Sequence, residues 1–311
     1  MIPIIHNRNI FFIISGVLFA ASIFAFVLWG LKLGIDFTGG SLLQAEFKTE
    51  RLSNDKIKEK LAGLELGELS IQPTSAKGVI MRFKSIDEET HQKILKNLGG
   101  ADVVEEKSFE SIGPVIGQEL KSRSVYAIAL VIIMIVIYIA YAFRKVSKPV
   151  ASWRYGVAAV VALVHDVIIP SGLFAVLGHF LGIEVGLLFI TAVLTILGFS
   201  VHDTIVVFDR IRENLRKGGF GSPRSSSGGA GDFENTVEGS INQTMGRSIT
   251  TSLVVMLTLL AIFLFGGQTT KYFSLTLLVG VFFGTYSSIF IASPLLVAWE
   301  RLRQRRLIRK R

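Results

Sequence analysis

The stretch LLFITAVLTILGFSVHDTIVVFDRIREN, Leu187 to Asn214, holds a single carboxylate, Asp203, within the uncharged and mostly apolar run Leu187 to Phe208. At about 1.5 Å of rise per residue, a helix of that length reaches across the roughly 30 Å hydrocarbon core of a bilayer. An acid at such depth is costly to keep and by default marks a proton or ion path. One stretch thus poses both the fold class and the chemistry.

Outward from it, five more windows are long and apolar enough to span: Ile10 to Leu31, Val125 to Phe143, Tyr155 to Leu177, Ile249 to Phe265 and Phe273 to Val297. Hydrophobic residues make up 50% of the 311 positions and charged residues only 18%, and the mean hydropathy is +0.53. That apolar excess is too large for an ordinary water-soluble domain. The windows do not alternate apolar with polar residues, which argues against a barrel. The expectation is an α-helical polytopic membrane protein with six spans. Arg8 precedes the first window as in a signal peptide, but its apolar run exceeds the usual h-region of roughly 7 to 15 residues, so it reads as an uncleaved anchor.

Lys and Arg set the orientation. Arg8, the loop with Arg144, Lys145, Lys148 and Arg154, the loop from Arg210 to Arg247, and the tail from Arg301 to Arg311 hold eighteen basic residues. The short loops on the opposite face, 178–186 and 266–272, hold only Lys271. Both termini are expected in the cytoplasm, and the long loop outside. Residues 32–123 carry 14 basic and 15 acidic residues, so the net charge of +9 comes from the remainder. It is a topology signal and not the basic stripe of a nucleic-acid-binding surface.

The outer segment reads as strand (Ser41 to Lys48), helix (Asn54 to Ala62, capped by Ser53), two strands (Glu68 to Gln72 and Val79 to Lys84), helix (Asp87 to Leu98) and strand (Asp102 to Phe109). This order is the split βαβ, ferredoxin-like α+β pattern. The segment offers no histidine cluster, Ser-His-Asp set or phosphate-binding loop, so a docking module is expected there and not an enzyme. The chain has no cysteine, which excludes disulfides and thiolate metal sites; no metal site is expected.

Two glycine-bearing motifs flank this domain: GIDFTGG, with Gly34, Asp36, Gly39 and Gly40, and SIGPVIG, with Gly113, Pro114 and Gly117. Both suit turns, where Gly supplies positive φ and Pro a fixed bend, and both suit hinges that couple the domain to the helices. On the inner side, residues 218–231 have the composition of a flexible linker. No Walker-type loop occurs, so any work this chain performs draws on a partner or an ion gradient.

The spans contain two acids, Asp166 in the third and Asp203 in the fourth, each preceded by a histidine, His165 and His202. His202 and Asp203 point about 100° apart on a helix, so a partner for Asp203 must come from another helix. Arg247 opens the fifth span, and its long stem would let it reach inward; Thr250, Thr251 and Thr258 add hydroxyls along that helix. An Asp203–Arg247 pair reads either as a proton switch or as a static packing pair. For His165 and Asp166 the plainer expectation is an interhelical hydrogen bond near a bend at Pro170. The doublet Asp209-Arg210, with Arg212 and Glu213, reads as a solvated helix end. Gly280, Gly284 and Ser288 form a small-xxx-small stripe suited to close helix packing.

GIDFTGG, His165-Asp166, VHDTIVVFDRIREN (Val201 to Asn214), NQTMGRSITTS (Asn242 to Ser252) and GTYSSIFIASPLL (Gly284 to Leu296) together resemble SecF proteins of the SecD/SecF family, within the RND superfamily. The resemblance implies a six-helix RND-type half-bundle, completed by SecD and associated with SecYEG and YajC in the cell (inner) membrane. It implies assistance to preprotein translocation driven by protons, with lipid around it and no cofactor. Asp203, Thr204 and Arg247 would then form the proton relay, with Asp166 and His165 secondary. The corresponding layout is residues 1–31 for the N-terminus and first span, 32–123 for the outer domain and 124–208 for spans two to four. The inner loop follows at 209–247, spans five and six at 248–298, and a basic tail at 299–311. A small-molecule or lipid exporter half of the same superfamily is the alternative, disfavoured by the single small outer domain.

Overall fold

The computed structural model describes residues 3–142, 151–217 and 230–308. Arg144, Lys145 and Lys148 and the linker residues 218–229 lie outside the described residues. Two compact units emerge: one comprises residues 1–32, 127–183 and 188–311, the other residues 33–126 together with 184–187.

The first unit contains the membrane-spanning helices, and six helical stretches are long and apolar enough to cross a bilayer. They are α1 (Arg8–Trp29), α5 (Pro114–Ala142), α6 (Ser152–Leu181), α7 (Leu187–Lys217), α8 (Ala230–Phe265) and a last span assembled from α9 (Gln268–Ser287) and α10 (Ser293–Ile308). The chain is a multi-pass membrane protein. α6, α7 and the last span are about half buried or more, whereas α1, α5 and α8 leave most of their surface outward. Helices in lipid gain nothing by hiding apolar surface from one another, so small residues that permit close approach decide who packs on whom. A Cβ on Gly172 of α6 would sit 2.4 Å from Ser22 Cβ of α1, and one on Gly280 of α9 would sit 2.1 Å from Ile196 Cδ1 of α7. The small-residue stripe of the last span therefore faces α7.

That last span is not a uniform helix. Residues Ser288–Ala292 form a π-helical turn between α9 and α10. Pro294 supplies the reason: a proline in a helix lacks the N–H for the carbonyl four residues back and clashes with it, and a wider turn relieves both. The Ser293 hydroxyl also donates to the Ser288 carbonyl, at 3.1 Å.

Two helices run past the apolar windows. α7 continues to Lys217 and α8 begins at Ala230, so much of the stretch between the fourth and fifth apolar windows is helical. Ile211 and Leu215 of α7 and Phe233, Val237 and Ile241 of α8 belong to one buried cluster, and Asn214 Nδ2 donates to Ser240 Oγ at 2.8 Å. Arg210 and Arg212 pair with Glu213 and Asp209 along the same helix, as a solvated end would. Among the topology-setting cations, Arg8 and Arg301 both pair with Glu234, and Arg154 and Arg303 with Glu300.

The second unit is a four-stranded antiparallel sheet in the order β2-β3-β1-β4, from β1 (Gly40–Phe47), β2 (Ser70–Pro73), β3 (Gly78–Phe83) and β4 (Val104–Ile112). α3 (Asn54–Leu61) and α4 (Glu88–Leu98) complete the split βαβ arrangement. Leu43, Ala45 and Phe47 of β1, Val79, Met81 and Phe83 of β3, Ile57 and Leu61 of α3, and Ile94 and Leu98 of α4 form its core. The alternation of β1 puts these residues on one face, and the two amphipathic helices cover it. Ser53 caps α3 by accepting from Lys56 N, and Asp87 caps α4 by accepting from Thr90 N.

The two flanking motifs meet in this unit. β1 and β4 pair so that Gly40 lies opposite Ile112, which brings the incoming and outgoing chain together. Gly39 has φ of 74°, and a Cβ there would lie 2.7 Å from Pro114 Cα; one on Gly117 would lie 2.8 Å from Gly39 N. Neither motif is a plain turn. Ile35–Thr38 forms a short helix, α2, and Pro114 opens α5, where its missing N–H costs nothing.

Candidate functional site

Asp166 and Asp203 each sit in a shell of serine hydroxyls. Asp203, in mid-α7, accepts from Ser248 Oγ of α8 at 2.6 Å through Oδ1, and from Ser288 Oγ of the π turn through Oδ2. Asp166 of α6 accepts through Oδ2 from Ser200 Oγ of α7 at 2.5 Å and from Ser287 Oγ of α9 at 2.6 Å. Both carboxyls are buried, Asp166 completely.

The two shells are continuous along the chain. Ser200 precedes Asp203 by one helical turn, so α7 gives its hydroxyl to one acid and supplies the other. Ser287 and Ser288 are adjacent, and each serves a different acid. The π turn begins between them, after Ser287 and at Ser288, and π-bulges recur at functional sites. Alongside, Ser252 of α8 bonds Thr285 of α9 at 2.5 Å. Four helices thus converge on one polar layer.

The composition of that layer decides what it can do. A hydroxyl donates one hydrogen bond and accepts two, so it can turn from donor to acceptor when a neighbouring carboxylate takes a proton. Arginine and lysine only donate. Among the described residues, neither acid is paired with a lysine or arginine. The serines can therefore face either protonation state of the acids, which the donors of an arginine or lysine cannot do.

Some of the expected residues are not where the sequence reading put them. Arg247 is exposed on α8 and does not pair with Asp203; the next residue, Ser248, faces the acid instead. Successive side chains on a helix diverge by about 100°, and the rotation that turns Ser248 to the acid leaves Arg247 on an exposed face. Thr250, Thr251 and Thr258 are exposed too, and the hydroxyls that α8 turns into this layer are those of Ser248 and Ser252. Finally, His165 does reach its neighbour, with Nδ1 2.9 Å from Asp166 Oδ1, while His202 is exposed and away from Asp203 as the geometry demands.

Thr204 is buried beside Asp203. His165 lies among Phe19, Phe283 and Tyr286, and its buried Nε2 has no hydrogen-bond partner. Pro170 lies inside α6, one turn after Asp166, and has no N–H to return to the Asp166 carbonyl. Asp166 therefore makes the expected interhelical bonds, to two helices. Helical spacing puts Ser200, three residues before Asp203, near that acid's side of the helix, and its hydroxyl goes to Asp166. Ser248, Ser252 and Ser287 were missed from sequence; the available signal was again helical spacing, Ser252 lying four residues after Ser248.

Comparison with known proteins gives the family. A family profile described as "Protein export membrane protein SecD/SecF, C-terminal" matches residues 90–302, and the "SecD/SecF GG Motif" matches residues 26–50. The chain belongs to the SecD/SecF family. A relative named protein translocase subunit SecF from Thermobaculum terrenum is 44% identical, covering 100% of this chain and 98% of the relative. One of the same name from Anaerolinea thermophila is 40% identical, covering 96% and 94%. The crystal structure of SecDF, a translocon-associated membrane protein from Thermus thermophilus, superposes with a TM-score of 0.77 at 29% identity. It covers 96% of this chain, while this chain spans only 38% of that one. SecDF in its super-membrane-facing form gives 0.67. The GG motif of the family takes in Gly34 to Gly40, and both acids and all the shell serines lie within the C-terminal match.

Proposed function

We propose that this chain is the SecF-type half of a protein-export complex, paired with a SecD-type partner that supplies the rest of an RND-like bundle. Proton uptake and release at Asp203 changes helix packing and so assists preprotein movement through a SecYEG-type channel, with YajC as a further associate. Protons are the only coupling species in this reading, and no cofactor takes part. Both termini are cytoplasmic and the α+β domain is extracytoplasmic.

One observation carries the proposal: a buried carboxylate in mid-span is held by hydroxyls alone. Ser248 and Ser288 can answer either charge state of Asp203 by reversing their hydrogen bonds. Arg247 enters in a second conformation. It is one residue from Ser248, so a partial turn of α8 together with its long stem would exchange hydroxyl for guanidinium against Asp203. Pairing with Arg247 and withdrawal from it would be the two arrangements of the switch. Thr204 lines the same place, and Asp166 with His165 offers a second proton-holding pair through Ser200 and Ser287.

Reconstitution with the partner and channel in vesicles tests this. Asp203→Asn keeps the size and one acceptor oxygen, its amide N–H donating where the other oxygen accepted, but it cannot cycle a proton. Stimulation of export by a proton gradient should fall to the level without a gradient, with the complex still assembled. Unchanged stimulation in that variant would overturn the relay.

A further inference from the structure

The GG-type motif contributes an acid whose place in the fold is specific. Asp36 lies in α2, and its Oδ2 accepts from the backbone N–H of Leu187 at 2.7 Å, across 151 residues of sequence. Leu187 is the first residue of α7. The first four N–H groups of a helix have no partner within it, and a carboxylate there also meets the positive end of the helix dipole. Asp36 thus caps the helix that carries Asp203.

The surroundings are shaped for this contact. A Cβ on Gly186 would sit 2.1 Å from Asp36 Oδ2, so a glycine there leaves room for the carboxylate. The Gly34 N–H donates to the Val185 carbonyl at 2.9 Å, and Leu33 pairs with Val185 as a parallel bridge. Glu184 meets Arg82 of β3 at 2.8 Å, both side chains being largely buried. Residues 184–187 are therefore held by the motif and by β3, within one compact unit. The Asp36 bond differs from the others in kind: they anchor the loop, whereas it acts on the helix itself.

Asp203 lies sixteen residues beyond Leu187 in the same unbroken helix, about 24 Å along it. Rigid secondary elements with discrete arrangements carry coupling between distant places. We infer that Asp36 is a positioning residue: by capping α7 it fixes the rotation in which that helix presents Asp203 to Ser248 and Ser288. The functional consequence rests on the proton role proposed for Asp203; the cap does not.

Three variants of the full chain, assembled with its partner in vesicles, test this. Asp36→Asn keeps an acceptor oxygen without the charge, Asp36→Ala removes the cap, and Gly186→Ala crowds the carboxylate while leaving it in place. Amide exchange at Leu187 to Ile190 should quicken on the order of tenfold in Asp36→Ala and Gly186→Ala, with Asp36→Asn near wild type. Combining the two damaging changes should add little. The pH at which export stimulation is half-maximal should move in the same two variants and stay in place in Asp36→Asn.

Unchanged exchange in Gly186→Ala, or Asp36→Asn as damaged as Asp36→Ala, would overturn the cap. Faster exchange with an unmoved pH midpoint would overturn positioning, leaving a cap that only stabilises. If Asp203→Asn leaves export unaltered, the relay falls, and the exchange measurements still judge the cap.

Discussion

In the α+β domain, Ser53 and Asp87 stand at the ends of helices and cap them; in the bundle, Ser200, Ser248, Ser287 and Ser288 stand mid-helix and turn toward two buried acids. The residue types are the same and the solvent differs. In water, apolar burial assembles the domain, and short polar side chains are placed where backbone groups would otherwise go unmatched. In lipid that driving force between helices is missing, so close packing and interhelical hydrogen bonds specify the assembly. A polar layer that holds helices together is also a place where a proton can bind, which makes structure and function inseparable in the bundle.

The largest expected effect would show whether the two regions are independent. Phe47 is fully enclosed in the core of the α+β domain, and Phe47→Ala should cost that domain about 3 to 5 kcal/mol. Exchange at β1 and β3 amides should rise while α6 and α7 amides hold their protection; a parallel loss in α6 and α7 would break the distinction. A smaller effect sharpens it from the other side. Ser288→Ala leaves one oxygen of Asp203 without its donor, and should cost the bundle about 1 to 3 kcal/mol. Thermal unfolding of the detergent-solubilised chain would measure it, and an unaltered melt would mean that the serine shell does not hold the helices.

The smallest effect concerns pH. Hydrogen bonding from Thr90 holds the Asp87 carboxyl below its ordinary value of 3.8. Its folded value being the lower one, its contribution is present above 3.8 and fades as pH falls through that lower value. Exchange in the first turn of α4, corrected for its intrinsic pH dependence, should quicken only below pH 3.8. Quickening near neutral pH would point to a group other than this cap.

The spans were legible because twenty apolar residues in a row admit few other solutions, and β1 because its alternation admits one buried face. Their ends were not. Charge returns at Asp209, yet α7 runs on to Lys217, since Ile211 and Leu215 find Phe233, Val237 and Ile241 on α8. Ser288 was visible as a small residue in a packing stripe, and its second role appears only with Asp203 opposite. Arg247 was chosen for its charge, whereas the helix turned Ser248 inward. The choice between neighbours depends on the rotation of α8, which no local pattern encodes.

The sequence by itself determined the number of spans, the element order of the α+β domain and the two buried acids, because hydropathy and periodicity are properties of consecutive residues. Only the tertiary structure decided which hydroxyls meet Asp166 and Asp203, that two adjacent serines at the start of a π turn serve different acids, and that Asp36 caps α7. Each of those contacts joins residues from different helices or from segments more than thirty positions apart. Their meeting is fixed by helix rotation and close packing, which are properties of the assembled chain.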